Sequence, residues 1–345
     1  MRLLICTQAV DRTDPILGFF HRWLEEFAKH CEQVVVVCLH KGDYALPPNV
    51  KVITLPQAGK IRRAAALCRI SFARRKEYDA VFVHMNPEYL VAAGWLWRLL
   101  HKRVALWYTH KSVSLYVRVA HFFTEVVFTA STESFRLASR KVRVVGHGID
   151  TTRPVPPRTS APGLVRLITT GRIAPVKGIE VMVEAFLMLK AQGVNTTFVA
   201  YGPTLAPDAA YQEKLSERLR AVGENPADIF PGAVAHDELP LLRSQADYLL
   251  HASETGSLDK NVLDAAMSGV VPVSSSEAYG ELFAGYEDLL QYPKGGARAL
   301  AERLVALQAL PEEKREEIRR TLRRRVEESH GLASLVPQML SALTL

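Results

Sequence analysis

From its first residues the chain alternates continuous apolar runs with stretches of helical periodicity. Runs rich in Val, Ile, Leu and Phe occupy 2–7, 33–39, 50–55, 80–84, 104–108, 126–130 and 142–145. A strand open to water on one side would alternate polar and apolar positions, whereas unbroken apolar runs suit a parallel sheet covered by helices on both faces. The first half is therefore expected to be a doubly wound α/β domain over 1–150. Between 147 and 163 the rhythm stops, and Pro154, Pro156, Pro157 and Pro162 stand among Ser and Thr in a segment suited to neither helix nor strand. This predicts a linker over 151–163. The rhythm resumes with a strand at 165–170, a helix near 178–192, a strand at 196–201, a polar helix near 211–222, a strand at 248–251, a short helix at 261–268 and a strand at 270–274. A second α/β domain over 164–325 is expected, with helices between 297 and 343 whose mixed charge over 312–328 suits a solvated face. The last helix, 326–345, is placed to pack back on the first domain.

Length agrees with this division, since 345 residues suit two domains of ~150 residues each. With 48% hydrophobic and 23% charged residues, both domains should bury cores. The longest uncharged apolar run, 89–97, falls short of the ~20 residues that span a bilayer. The N-terminus reaches Asp11 before any small-residue cleavage site, so it reads as a buried first strand rather than a signal peptide, and a cytoplasmic protein is expected. Cys6, Cys31, Cys38 and Cys68 lie on apolar segments without a Cys-x-x-Cys pair or metal-spaced histidines, and read as reduced structural thiols.

Charge changes the picture more. Residues 1–150 hold 22 Lys or Arg against 12 Asp or Glu, a balance of +10, and residues 151–345 hold 21 against 24, a balance of −3. The basic half calls for an anionic partner. No zinc-finger, helix-turn-helix or aromatic-basic pattern accompanies the charge, so nucleic acid is not expected, and an anionic membrane surface or a phosphorylated acceptor is. Between Asp43 and Glu77 there are eight basic residues and no acid. Helical spacing there lines up Ile61, Ala64, Ala65, Cys68 and Phe72 as a stripe expected to face the sheet, with Arg62, Arg63, Arg69, Arg74 and Arg75 available to an anionic membrane surface.

Open α/β sheets bind ligands beyond the carboxyl ends of their strands, which singles out two loops. After 165–170 comes Gly171-Arg172-Ile173-Ala174-Pro175-Val176-Lys177-Gly178 and then a helix. Gly171 permits close approach of the backbone, and Arg172 and Lys177 bring two cations to a helix start, a setting for a diphosphate. The same loop also reads as two solvated cations. After 248–251 comes Ser253-Glu254-Thr255-Gly256-Ser257-Leu258-Asp259-Lys260 and a short helix carrying Asp264. Its backbone amides suit a sugar or phosphate and its acid a ribose diol, while taken alone it also reads as a turn whose Ser or Asp caps the helix.

Together these stretches carry a resemblance. Gly-Arg-x4-Lys-Gly at 171–178, then 230–234 ahead of Glu238 and Leu239, then 246–248, then the loop running into 263–269 and 271–273 are similar to the donor half of glycosyltransferase family 4. The resemblance implies the GT-B fold, in which two Rossmann-like domains face a central cleft, and a retaining transfer from a UDP- or GDP-sugar to a glycan or lipid-linked acceptor. It implies donor contacts from Gly18, Gly171, Gly202, Glu254, Gly256, Ser257, Leu258 and Asp264. His110, at the end of the strand over 104–108, is implied to point into the cleft beside the catalytic Arg172 and Lys177. Asp14, His84 and Asn86 are expected on the acceptor side. One departure stands out: the family carries two glutamates eight positions apart, and here the second is Asp264 while the first is Gly256, with Glu254 two residues upstream.

The chain contains no Asp-x-Asp pair, so fixed cations are expected to stabilise the leaving diphosphate, without metal or other cofactor. The leaving phosphate can then take the acceptor proton. An inverting reaction would need Asp11 or Asp14 as base. Other classes share the fold class: a nicotinamide oxidoreductase, disfavoured by the lack of a G-x-G-x-x-G after any expected strand, a sugar-nucleotide epimerase, and a non-catalytic nucleotide-sugar binding protein.

Overall fold

The computed structural model describes residues 1–344 apart from 15, 153, 155–156, 158–162, 236–237, 255 and 257, so most of the expected linker lies outside the described residues. The chain divides into two units, Met1–Thr151 with Ser329–Leu345, and Thr152–Glu328.

The first unit holds strands β1 (Arg2–Val10), β2 (Gln33–Lys41), β3 (Val50–Thr54), β4 (Ala80–His84), β5 (Arg103–Trp107), β6 (Val126–Thr129) and β7 (Val142–Val144), with helices α1 (Phe20–His30), α2 (Lys60–Ala73), α3 (Glu88–Leu99) and α4 (Leu115–Phe123). They form one parallel sheet of order β3-β2-β1-β4-β5-β6-β7. Every residue of β4 and β6 is buried, while the edge strands β3 and β7 contain none that is, which is why the central runs needed to be apolar throughout. Side chains alternate across the sheet. Leu4, Cys6, Val81 and Val83 join the core under α2, α3 and α4, with Leu90 and Trp97 above them. On the other face Phe20, Trp23 and Phe27 of α1 meet Phe82 and Trp107.

The second unit has a four-stranded parallel sheet of order β11-β10-β8-β9. Its elements are β8 (Val165–Thr170), α5 (Ile179–Ala191), β9 (Thr196–Tyr201), α6 (Ala209–Ala221), α7 (Pro226–Ile229), α8 (Leu239–Ser244), β10 (Tyr248–His251), α9 (Lys260–Met267), β11 (Val271–Ser274), α10 (Gly280–Phe283), α11 (Glu287–Leu290), α12 (Ala297–Ala309) and most of α13 (Glu312–His330). The last helix, α14 (Leu332–Thr344), packs on α1, β5 and β6 of the first unit, where Ile149 donates its N–H to the His330 carbonyl at 2.7 Å and Leu332 donates to Ile149 at 2.8 Å. No helix among the described residues is long and apolar enough to cross a membrane.

α2 corrects the sequence reading. The stripe expected to face the sheet is split: Ile61 is 87% exposed, Phe72 is 52% exposed, and Ala65 is exposed too, while Ala64 and Cys68 are half-buried, Cys68 packing against the core, and the fully buried positions are Ala66, Leu67 and Ser71. Apolar residues surround this helix almost completely, so periodicity alone leaves its roll open. Packing decides it: small Ala66 and Ser71 let α2 lie close, and buried Tyr78 donates its hydroxyl to the Ser71 carbonyl at 2.9 Å.

Candidate functional site

Each sheet reverses its strand order once, β1 beside β4 in the first unit and β8 beside β10 in the second, and ligands of open α/β sheets seat at such reversals. In the second unit β8 ends at Thr170 and runs directly into Gly171 and Arg172. Gly171 donates its N–H to the Tyr201 carbonyl at 2.8 Å, and Gly202 donates to Gly232 at 2.9 Å. A Cβ on Gly202, whose φ is +155°, would stand 1.9 Å from the Gly171 carbonyl oxygen. Only glycine therefore lets the ends of β8 and β9 lie this close. Pro175–Lys177 makes one turn, and Gly178, with φ +63° and no side-chain cap, starts α5.

The two cations after β8 differ. Arg172 is exposed and has no acidic partner among the described residues. Lys177 Nζ lies 2.5 Å from Asp259 Oδ2. Asp259 is also the N-cap of α9, accepting from the Asn261 N–H at 3.2 Å, and its own N–H donates to the Tyr279 hydroxyl at 2.7 Å. His251, the last residue of β10, places Nε2 3.8 Å from the same carboxylate, beyond hydrogen-bond range, and its Nδ1 lies 2.8 Å from Ser274 Oγ. Burial would raise the Asp259 carboxyl, but the His251 ring and the Lys177 ammonium outweigh it and hold the group well below the usual carboxylate range. The Asn261 amide donates to the Thr170 carbonyl and ties α9 to β8. Thr170, Gly171, Arg172, Lys177, His251, Asp259 and Asn261 line one small cavity. Among the described residues, the geometry offers an anion one free cation, one restrained cation and the start of a helix.

The other residues expected to touch a donor are more scattered. Glu254 is exposed, with its N–H bonded to the Val176 carbonyl at 3.1 Å. Gly256 is half-buried at φ +60°, and Ser257 lies outside the described residues. The Leu258 side chain is buried, which leaves its backbone for a ligand. Asp264 meets Lys260 Nζ at 2.8 Å and the buried Arg243 guanidinium at 3.6 Å.

In the first unit, Asp14 Oδ1 accepts from the N–H groups of Ile16 and Leu17, each at 2.8 Å, and its carbonyl accepts from buried Gly18 at 2.9 Å, which shapes the loop after β1. His110 is exposed beyond β5, its Nδ1 accepting from the Ser112 N–H at 3.0 Å. His84, expected to face an acceptor, lies in the core instead. Strand alternation turns it with Phe82 toward α1, where it stacks on Phe20 at 3.9 Å between ring centroids and meets Thr7 Oγ1 at 3.2 Å. Burial, with His147 nearby, pushes its pKa down to about 3. Asn86, two residues on, lines a cavity of about 510 Å³ over the β1/β4 reversal. Of the arginines assigned to a membrane, Arg62 and Arg69 are exposed, whereas Arg63 is half-buried in that cavity's wall. Arg74 pairs with Glu77 at 2.8 Å, and Arg75 lies over the Phe72 ring at 4.3 Å.

Sequence reasoning missed Asp259, His251, Asn261 and Tyr279 as members of the site. His251 ends a strand and Asp259 precedes a helix, positions that could have drawn attention to both. Tyr279, twenty residues beyond Asp259, has no local mark.

Residues 159–325 match the family model described as glycosyl transferases group 1, so the second unit carries a domain of that kind. The chain is 27% identical over 218 residues to the putative colanic acid biosynthesis glycosyltransferase WcaL of Escherichia coli (strain K12), a match covering 59% of this chain and 51% of that protein. The chain thus spans about half the length of the curated relatives it matches. Its fold is similar to that of Anabaena HepE in complex with UDP-glucose, with TM-score 0.77, 16% identity, and coverage of 100% of this chain and 99% of that one. Sucrose-phosphate synthase from Thermosynechococcus elongatus is also similar, with TM-score 0.74, 16% identity, and coverage of 99% and 98%. These likenesses establish the fold as GT-B, with two Rossmann-like α/β units.

Proposed function

We propose that this chain, whose second unit carries a glycosyl transferases group 1 domain, is a glycosyltransferase that moves a hexosyl or related sugar from a UDP- or GDP-sugar to an acceptor with retention of configuration. The observation that carries the reading is Arg172, exposed and without an acidic partner among the described residues, next to Lys177 at the sheet reversal. As the bond from the anomeric carbon to the diphosphate oxygen breaks, negative charge grows on the leaving group, and these two cations stabilise it in place. The acceptor oxygen forms the new bond on the same face, and its proton passes to the leaving phosphate. His110 positions donor and acceptor. Gly18, Glu254, Gly256 and Leu258 serve the donor through their backbone groups, and Asp264 serves its ribose. Neither metal nor cofactor enters this account, because the fixed cations supply the stabilising charge. The acceptor is a glycan or a lipid-linked saccharide, a reading supported by the likeness to the putative colanic acid biosynthesis glycosyltransferases WcaL.

Arg172→Ala should lower turnover with a nucleotide-sugar and a soluble acceptor about 10²-fold, the size seen on removing one transition-state donor, while EDTA leaves wild-type turnover unchanged. Wild-type turnover in the variant defeats the assignment, and loss on chelation restored by Mg²⁺ defeats the metal-free part.

The outward roll of α2 supports a peripheral place on an anionic membrane, at the cytoplasmic face. Ile61 and Phe72 of α2, Trp95 and Leu99 of α3 and Phe122 of α4 are exposed in one helical layer with Arg62, Arg69 and Arg98, and Arg98 lies 5.1 Å from the Phe122 ring centroid. Apolar side chains among basic ones suit an interface where each cation contributes ~1 kcal/mol near anionic lipid. Co-sedimentation with anionic vesicles at low salt should fall at least tenfold when Arg62, Arg69 and Arg98 become Gln; undiminished binding removes this face as the anchor.

A further inference from the structure

We propose that the cavity over the β1/β4 reversal of the first unit is a binding site for an anionic amphiphile, a single apolar chain carrying a phosphate head, with the head at Lys60 and Arg63. The cavity measures about 510 Å³, within the ~300–1,000 Å³ range of small-molecule sites. Its walls are Leu39 and Leu55 from the ends of β2 and β3, Ala64 from α2, Val91 from α3 and Tyr116 from α4, with Ile61 at the rim. These apolar walls shield an aliphatic chain from water.

The charges then decide what kind of chain. Lys60 and Arg63 belong to the lining and have no acidic partner among the described residues, although Arg63 is half-buried. α2 begins at Gly59 with no side-chain cap and no acid in its first turn, so its first N–H groups add to the positive field beside Lys60. Glu88, at the start of α3, is the acid of the lining and leaves the balance positive. A guanidinium held against apolar walls is poorly hydrated, and a phosphate there meets a stronger field than in open water. A neutral lipid would leave both cations unmatched; free phosphate would leave the walls wet.

Part of the lining is polar: Gln8 of β1 and Asn86, two residues beyond β4, both line the cavity where the strand order reverses. Hydrogen-bonding side chains there suit the hydrophilic portion that follows the phosphate. Resting on the transfer reading, the amphiphile is the acceptor, and its hydrophilic end is what receives the sugar.

The test is direct binding to the full chain by titration calorimetry, with octyl phosphate below its critical micelle concentration, octanol and inorganic phosphate as separate titrants. Octyl phosphate should saturate at one site, octanol should bind at least tenfold more weakly, and phosphate alone should show no saturation. Ala64→Trp, which fills the cavity, and Arg63→Gln, which removes a head contact at nearly constant volume, should each weaken octyl phosphate at least tenfold while UDP binding is unchanged. Absence of saturable binding, wild-type affinity in both variants, or equal affinity for octanol overturns the proposal. Failure here with turnover still lost in Arg172→Ala leaves the transfer reading standing. Binding that persists while Arg172→Ala keeps full turnover does the reverse.

Discussion

The two sheet reversals are built from the same topology and end in opposite chemistry. Beyond β8 and β10 the surface is polar and restrained: glycines press two strand ends together, Asp259 holds Lys177, and Asn261 ties α9 to β8. Beyond β1 and β4 it is largely apolar, with a cavity of about 510 Å³ whose lining includes Lys60 and Arg63. Positive charge is common to both, so charge alone does not set ligand class. Surroundings do: cations among backbone amides suit a diphosphate, and cations beside leucines suit an amphiphile.

The largest expected effect breaks the restrained side. Gly202→Ala would put a methyl 1.9 Å from the Gly171 carbonyl at a φ of +155°, so the ends of β8 and β9 must part. We expect a loss of roughly 2–4 kcal/mol, read as a fall in Tm of about 5–15 °C, with UDP binding lost and octyl phosphate binding retained. Unchanged UDP affinity would show that close backbone approach does not form that site.

Acid should separate the two units next. Burial pushes His84 down to about 3 and His330 to about 4, each with His147 nearby, so both are neutral in the folded first unit. Their unfolded value is ~6.5. Because the folded values are depressed, their contribution is complete above pH ~6.5 and lost as pH falls toward ~4. From pH 7.5 to 5.5 the two together should cost about 2–3 kcal/mol by denaturant titration, and His330→Gln should remove roughly half of that slope. A flat profile over this range would contradict their burial as neutral rings.

The smallest effect sharpens the contrast between Arg172 and Lys177. Asp259→Asn keeps a side chain able to cap α9 but removes the charge facing Lys177, for a cost of about 1 kcal/mol. With Lys177 released, UDP affinity should change while the response to Arg172→Ala stays the same. An unchanged UDP affinity would mean that the restraint on Lys177 has no bearing on the anion.

Much of this was legible because the relevant physics is local. Unbroken apolar runs marked every strand to within a few residues, since a doubly covered parallel strand tolerates polar groups poorly; β1 and β2 ran longer than expected because their tails continue into pairing between Ala9 and His40 and between Val10 and Lys41. Gly171, Arg172 and Lys177 were visible as a glycine and two cations between a strand and a helix. Short helices such as α8 and α11 escaped, being too brief to show a period.

By itself, the sequence determined the alternating α/β order, the uneven charge of its halves and the strand-end loops where chemistry gathers, because spacing along the chain encodes them. Tertiary structure decided which way each side chain faces and what stands opposite it. It rolled α2 so that Ile61 and Phe72 face out, through small residues and a tyrosine bond, placed His84 in the core through strand alternation, and brought Lys177 to Asp259 across 82 residues. Such pairings depend on distances between elements, and a pattern of neighbours along one chain does not contain them.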